Sequence, residues 1–236
     1  MATRGRPRAF DRDAALERAM HVFWERGYEA TTMAELTEAM GIRPPSLYAA
    51  FGSKEALFRE AVELYGRTDG TVTPRALAEA RTAREGIHQA LRRNAVGYTE
   101  PGRPPGCMVV LAATNCTPEN AGVSALLAED RRAMESSLRE RMDRGVVEGD
   151  VPDGTDTRTL ASFYATVLFG LSVQAKDGAS RDELLCVVEA AMAAWDTLTG
   201  AAPLSQPPPA VTDPHPAPGN RPAAAPSPEP PEPQRW

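Results

Sequence analysis

The chain has little of what membrane, secreted and catalytic proteins are built from. No apolar run approaches the roughly 18 residues that cross a bilayer, so no membrane span is expected. The basic start, Met1-Ala2-Thr3-Arg4-Gly5-Arg6-Pro7-Arg8, is followed by no apolar stretch, which argues against a secretory signal. Cysteine is scarce. Cys107, Cys116 and Cys186 are an odd set with no close pair, which is not a disulfide framework. His21, His88 and His215 lie far apart, so the clustered Cys/His spacing of a zinc site is missing. Also missing are a G-x-G-x-x-G after a strand, a P-loop, H-E-x-x-H and G-x-S-x-G. These absences disfavour an enzyme, and neither a cofactor nor a metal is expected. A cytoplasmic protein remains.

Period-2 runs of β-branched residues of strand length are absent too, which points to an all-α chain. The 236 residues allow one or two domains. The net charge of −6 rules out a polycation. Leu16, Met20, Phe23 and Trp24 share one face of a first helix starting near Asp11, and Gly27 stops it. Thr31 or Thr32 caps a short second helix with Met33, Leu36 and Met40 inward, ended by Gly41. Pro44 and Pro45 suit the first turn of a third helix, where a missing N–H costs nothing. Ser53 caps a fourth helix through Leu57, Phe58, Ala61 and Tyr65. The stretch Gly66 to Pro74 reads as a joint, placing a first domain at 1–65 and a larger helical one at 66–200. Further helices are expected near 75–99, 108–114, 119–145, 155–174 and 181–199, with loops at 100–106 and 147–154.

Two short helices joined by the tight turn Gly41-Ile42-Arg43 and packed on a first helix form a helix-turn-helix unit, whose second helix can enter a major groove. Its leading residues are Arg43, Pro44, Pro45 and Ser46. Arginine can pair with guanine O6 and N7, serine with either kind of base, and a proline ring can touch a thymine methyl. The Tyr48 hydroxyl can reach a phosphate, or the ring can pack. Lys54 adds charge to a helix N-terminus, and the Thr32 amide and hydroxyl offer another phosphate site. Residues 1–12 carry Arg4, Arg6, Arg8 and Arg12 against Asp11, the composition of an arm that enters a minor groove or tracks phosphates. Over the rest of the first 65 residues acids outnumber bases, so those acids must face away from a duplex.

Residues 4–65 resemble the N-terminal domain of the TetR/AcrR family of bacterial transcriptional repressors. The resemblance lies in Gly5-Arg6-Pro7, Phe23-x-x-x-Gly27-Tyr28, Thr31-Thr32-Met33-x-x-Leu36, and Gly41-Ile42-x-x-x-Ser46-Leu47-Tyr48-x-x-Phe51-x-Ser53-Lys54-Glu55-x-Leu57. It implies a three-helix DNA-binding domain followed by a helical domain that binds a small-molecule inducer and pairs two subunits. Its consequence is a homodimer on a palindromic double-stranded operator, released by an effector. Pro44 and Pro45 stand where the family often has Lys and Gly, which removes a cation from the recognition helix. An activator of the same fold is the alternative outcome of DNA binding.

The last two long helices are then the ones that form a four-helix bundle with a second subunit. Leu160, Val167, Leu171, Leu184, Val188, Met192 and Trp195 are the candidate interface residues; the alternative is a core of the monomer. Candidate effector contacts are Cys107, Met108, Leu111, Asn115, Phe163 and Tyr164. Cys107 and Cys116 are either small buried hydrophobes or a redox or electrophile sensor, with Arg103 placed to lower the Cys107 pKa.

The segment 201–236 holds 13 of the 22 prolines and no periodic apolar pattern. It cannot bury enough surface to offset its chain entropy, and reads as a solvated tail with polyproline II character, or else as a docking peptide. Truncation after Gly200 is expected to leave thermal unfolding and DNA affinity unchanged; loss of either assigns the tail a structural role.

Overall fold

A computed structural model describes residues 10–200 except Ala113. The expectations for Arg4, Arg6, Arg8 and the tail lie outside the described residues. Within them every regular element is helical.

The first four helices form where local chemistry dictates. Helix α1 (Arg12–Arg26) starts at Asp11, whose carboxylate accepts from the amides of Asp13 and Ala14, and stops at Gly27 with φ +78°. Helix α2 (Met33–Met40) opens with a reciprocal capping box between Thr32 and Glu35. It closes on left-handed Gly41: the Gly41 amide donates to the Glu38 carbonyl and the Ile42 amide to that of Thr37, a Schellman turn that satisfies two end carbonyls. Helix α3 (Pro44–Phe51) has its two prolines at the first two positions. Helix α4 (Lys54–Arg67) is capped by Ser53. Their apolar faces meet in one core, where Phe23 lies edge-on to Phe58 at 5.0 Å and Trp24 edge-on to Tyr65 at 4.9 Å.

The expected joint at Gly66–Pro74 is mostly helical. After α4 a 3-10 turn (Asp69–Thr71) leads directly into α5 (Val72–Glu79), with Pro74 in its first turn. Gly70 allows this by packing on Tyr65, whose carbonyl oxygen would lie 3.0 Å from an added Cβ. The single helix expected over 75–99 is two. Helix α6 (Ala83–Tyr98) starts afresh because Thr82 caps it and Asp150 accepts from the Ala83 amide. Helix α7 (Met108–Leu111) is one turn. Helix α8 (Ala121–Glu148) runs past the expected end to left-handed Gly149. Helix α9 spans Thr157–Lys176. The expected last helix breaks at Ala194 into α10 (Arg181–Ala193) and α11 (Trp195–Gly200).

A second core lies among α5, α6, α8, α9 and α10, with Ile87, Leu91, Met142, Tyr164, Leu168 and Val188 at its centre. The first core draws Met108, Ala112, Val123 and Leu127 from beyond residue 66, so packing continues across the sequence boundary at 65. Cys107 touches both cores. Just before it, Gly106 is locked at φ +78°, and an added Cβ would lie 2.6 Å from the Ser172 carbonyl oxygen.

That contact separates two glycines of similar backbone angle. Gly106→Ala is expected to lose about 1–3 kcal/mol from backbone strain and more from the clash. Gly102→Ala has φ +84° with no neighbour within 4 Å and should lose the strain alone; urea unfolding of both variants measures the difference.

Candidate functional site

Acids of the N-terminal region pair with half of its described cations. The Arg12 guanidinium donates to Glu60, at 2.7 Å, and lies over the Phe51 ring. Arg18 donates to the Met40 carbonyl, Arg26 to Glu35 and Arg59 to Glu55. The Lys54 ammonium sits 4.4 Å from the centre of the Tyr28 ring; burial lowers its pKa while Glu29 opposes the shift. Of the six basic residues from 10 to 65, Arg43 alone has neither an acceptor nor an aromatic face among the described residues. It is exposed at the N-cap of α3 with no capping role for its side chain.

Around Arg43 the surface of α3 divides cleanly. Leu47 and Phe51 are buried, Ser46 is half-buried, and Pro44, Pro45, Tyr48 and Ala49 are exposed, Tyr48 by 51%. Tyr48 therefore does not serve the core, the packing alternative for its ring. The Thr32 site needs correction. Its amide and hydroxyl both donate to the Glu35 carboxylate, at 2.8 and 2.9 Å, so both are already taken. That carboxylate is held below its usual pKa by those bonds, with Arg26 adding to the effect.

A cavity of about 450 Å³ lies among α4, α5, α6, α8 and α9. Its walls are mainly apolar, with Val62, Val110, Met134, Leu168 and Phe169 among them. The Cys107 sulfur reaches it and accepts from the Tyr65 hydroxyl at 3.3 Å; Tyr98 faces the same sulfur. Asn94 lies on the wall, nearly buried, and donates to Thr73 and to the Ala90 carbonyl. Burial pushes the Cys107 thiol and both phenols above their ordinary pKa values. Arg103 does not counter this. It pairs with Asp69 instead, which corrects the expectation that it would lower the Cys107 pKa.

Of the six residues expected at an effector site, only Cys107 lines this cavity. Met108 is fully buried in the first core, while the next two residues of α7, Val109 and Val110, turn to the cavity. Leu111 packs beside Gly106, and Asn115 is exposed beyond α7. The Tyr164 hydroxyl donates to the Ala191 carbonyl inside the second core, and burial raises its pKa to about 12. Phe163 points outward. Asn94 carried a sequence signal that was missed: a polar residue within the apolar stripe Ile87, Leu91, Asn94, Tyr98. Tyr65 and Tyr98 carried none, since core tyrosines look alike in sequence.

The expected interface residues also need correction. Leu160, Leu171, Leu184, Val188, Met192 and Trp195 are buried in the second core, and Val167 is half-buried. This is the monomer-core alternative. The outward face of α9 instead carries Phe163 and Val173, exposed by 37% and 44%, and that of α10 carries Cys186, Ala190 and Ala193. Among the described residues no helix is long and apolar enough to cross a membrane.

Known proteins share this arrangement. The family described as bacterial regulatory proteins, tetR family, matches residues 15–61. The HTH-type transcriptional repressor ComR of Escherichia coli (strain K12) is 32% identical over 197 residues, 83% of this chain and 94% of that one. The repressor BdcR of the same strain is 30% identical over 194 residues, 82% and 93% of the two chains. A solved structure of a cysteine-substituted TetR family transcriptional regulator, CifR, complexed with 26-bp double-strand operator DNA, is 56% identical. It superposes with a TM-score of 0.79 over 80% of this chain and 100% of that one. With an uncommitted arginine at the exposed start of a capped helix-turn-helix and relatives matched along most of their length, the chain belongs to the TetR family and is a DNA-binding transcriptional regulator.

Proposed function

We propose that the protein is a cytoplasmic repressor, without catalytic activity, that binds a palindromic operator as a homodimer and is released by a small effector. The observation that carries this reading is Arg43, exposed at the start of α3 and unpaired among the described residues while the other basic residues from 10 to 65 are engaged within the chain. Arg43 reads a base edge or a phosphate, supported by Ser46 and by the exposed Tyr48 hydroxyl. Lys54 adds positive charge at the N-terminus of α4, and Thr32, held by Glu35, serves only to cap α2. Arg4 and Arg6 belong to an arm that follows the minor groove. We assign residues 1–65 to DNA binding and 66–200 to the effector and the partner. The outward faces of α9 and α10, with Phe163, Val167, Val173 and Ala190, pair two subunits, so that two α3 helices meet two half-sites.

The effector occupies the cavity at Cys107. Coupling follows from the backbone on either side of this residue. The Gly106 carbonyl accepts from the Trp24 indole at 3.2 Å and the Ala112 carbonyl from the Tyr28 amide at 2.7 Å. A ligand that shifts residues 106–112 therefore acts on the end of α1. By linkage, effector and operator then weaken each other's binding equally.

A second reading, release by modification of Cys107, is favoured by one observation: its sulfur lies on the cavity wall. Because burial raises this thiol's pKa, little thiolate exists at neutral pH. Iodoacetamide should therefore alkylate exposed Cys186 first, and Cys107 increasingly as pH rises above the ordinary thiol range. Mass spectrometry of the digested protein measures both. Fast Cys107 labelling at neutral pH removes burial as the controlling factor.

Fluorescence anisotropy against the protein's own upstream intergenic DNA, at two salt concentrations and with unrelated competitor, tests the main reading. Competitor-resistant binding by two chains per site is expected. Arg43→Ala should lose about 1–3 kcal/mol and relax specificity if Arg43 reads guanine. Unchanged affinity and specificity would place recognition on another surface.

A further inference from the structure

We propose that the first turns of α3 read the operator mainly through thymine methyl groups, with Pro44, Pro45 and Ala49 as the specificity-determining contacts. This inference rests on the operator-binding reading above and names the bases that its recognition helix selects.

The N-terminus of a helix normally offers free amides, and through them a site for phosphate or for a polar base edge. In α3 that supply is cut down to the amide of the N-cap, Arg43. Pro44 and Pro45 carry no N–H, the Ser46 amide donates to the Arg43 carbonyl at 2.9 Å, and the Leu47 amide to the same oxygen at 3.1 Å. Beyond the Arg43 amide, no backbone donor of this end is left for DNA.

The side chains continue the pattern. Pro44, Pro45 and Ala49 are exposed, and residues 45 and 49 are one turn apart on the same face. Together they make a contiguous apolar patch beside Arg43. Of the groups that base pairs present in the major groove, most are polar donors or acceptors, and the thymine methyl is the one bulky apolar group. Covering a polar edge with this patch leaves the edge desolvated and unpaired, which is costly. Covering a methyl buries apolar surface on both sides and strands nothing. The patch thus selects thymine by attraction and rejects the other bases by desolvation. Arg43, next to it in the chain, adds the polar contact. The half-site that fits is a guanine adjoining thymines.

The test uses the full-length protein and duplexes selected from a random 26-bp library. The recovered sites are remade with deoxyuridine replacing each thymidine in turn, which deletes the methyl and keeps every Watson–Crick group. We expect roughly three- to fourfold weaker binding per contacted methyl, at one or two positions in each half-site. At those positions 5-methylcytosine should bind better than cytosine. Pro45→Ala restores an amide and removes the ring at a position where alanine suits the helix. It should abolish the deoxyuridine effect at one position and leave the others, a coupling that a purely structural role of Pro45 would not produce. Tight sites insensitive to deoxyuridine, or half-sites without thymine, overturn this inference alone. A selection that enriches no sequence overturns the operator-binding reading, and this inference with it.

Discussion

The structure depends most on the short stretch from Gly106 to Ala112, where both hydrophobic cores meet. Its backbone is held from three directions. The Trp24 indole N–H donates to the Gly106 carbonyl, the Cys107 amide donates to the Ser172 hydroxyl, and the Tyr28 amide donates to the Ala112 carbonyl. Met108 fills the first core while Val109 and Val110 line the cavity. Gly106 permits this because Ser172 presses against it where any side chain would stand. The Lys176 ammonium, donating to the Glu25 carbonyl at 2.9 Å, ties α9 to the end of α1 beside the same stretch. A buried amide or carbonyl without a partner is costly, so these groups cannot separate independently. They move as a set or stay together.

The same accounting explains how an acidic protein presents a surface to DNA. Three of the N-terminal acids, Glu35, Glu55 and Glu60, pair with arginines of their own chain and cancel their charge locally. Glu35 does two jobs at once, completing the cap of α2 and binding Arg26. Exposed ion pairs of this kind add little stability. Their effect here is on charge distribution: Arg43 is left as the positive group at the start of α3.

Legibility in the sequence followed the range of the interactions. Helices α1 to α4 could be placed because their ends are set by neighbours three or four residues away: Asp11, Thr32 with Glu35, Gly41, Ser53. The break between α5 and α6 had a local signal that was missed, Thr82 with Glu85, and a second support distant in sequence, Asp150 accepting from the Ala83 amide. The stripe of α9 and α10 was visible, but its direction was not. Periodicity shows that Leu160, Leu171 and Val188 share a face; it does not say whether that face meets the chain's own α6 and α8 or a second subunit. The cavity was the least legible feature, since Asn94, Tyr98, Cys107 and Phe169 converge only in three dimensions.

Helix α4 connects the two ends of the molecule. Its first residue, Lys54, lies over Tyr28 close to the end of α3, and Tyr65, near its last turn, donates to Cys107 on the cavity wall. At about 1.5 Å per residue, the 14 residues of α4 span about 21 Å, and the helix carries no proline along its length. A ligand shifts an equilibrium only by the difference between its affinities for the two states. Ligand contacts made solely with second-core residues such as Met134 and Leu168 therefore carry no direct leverage on α3. Contacts with Tyr65 or Cys107 do, because each belongs to an element that also packs in the first core. The part of the cavity wall shared with the first core, Tyr65 and Cys107 together with Val62 and Val109, is where binding and DNA affinity can be coupled.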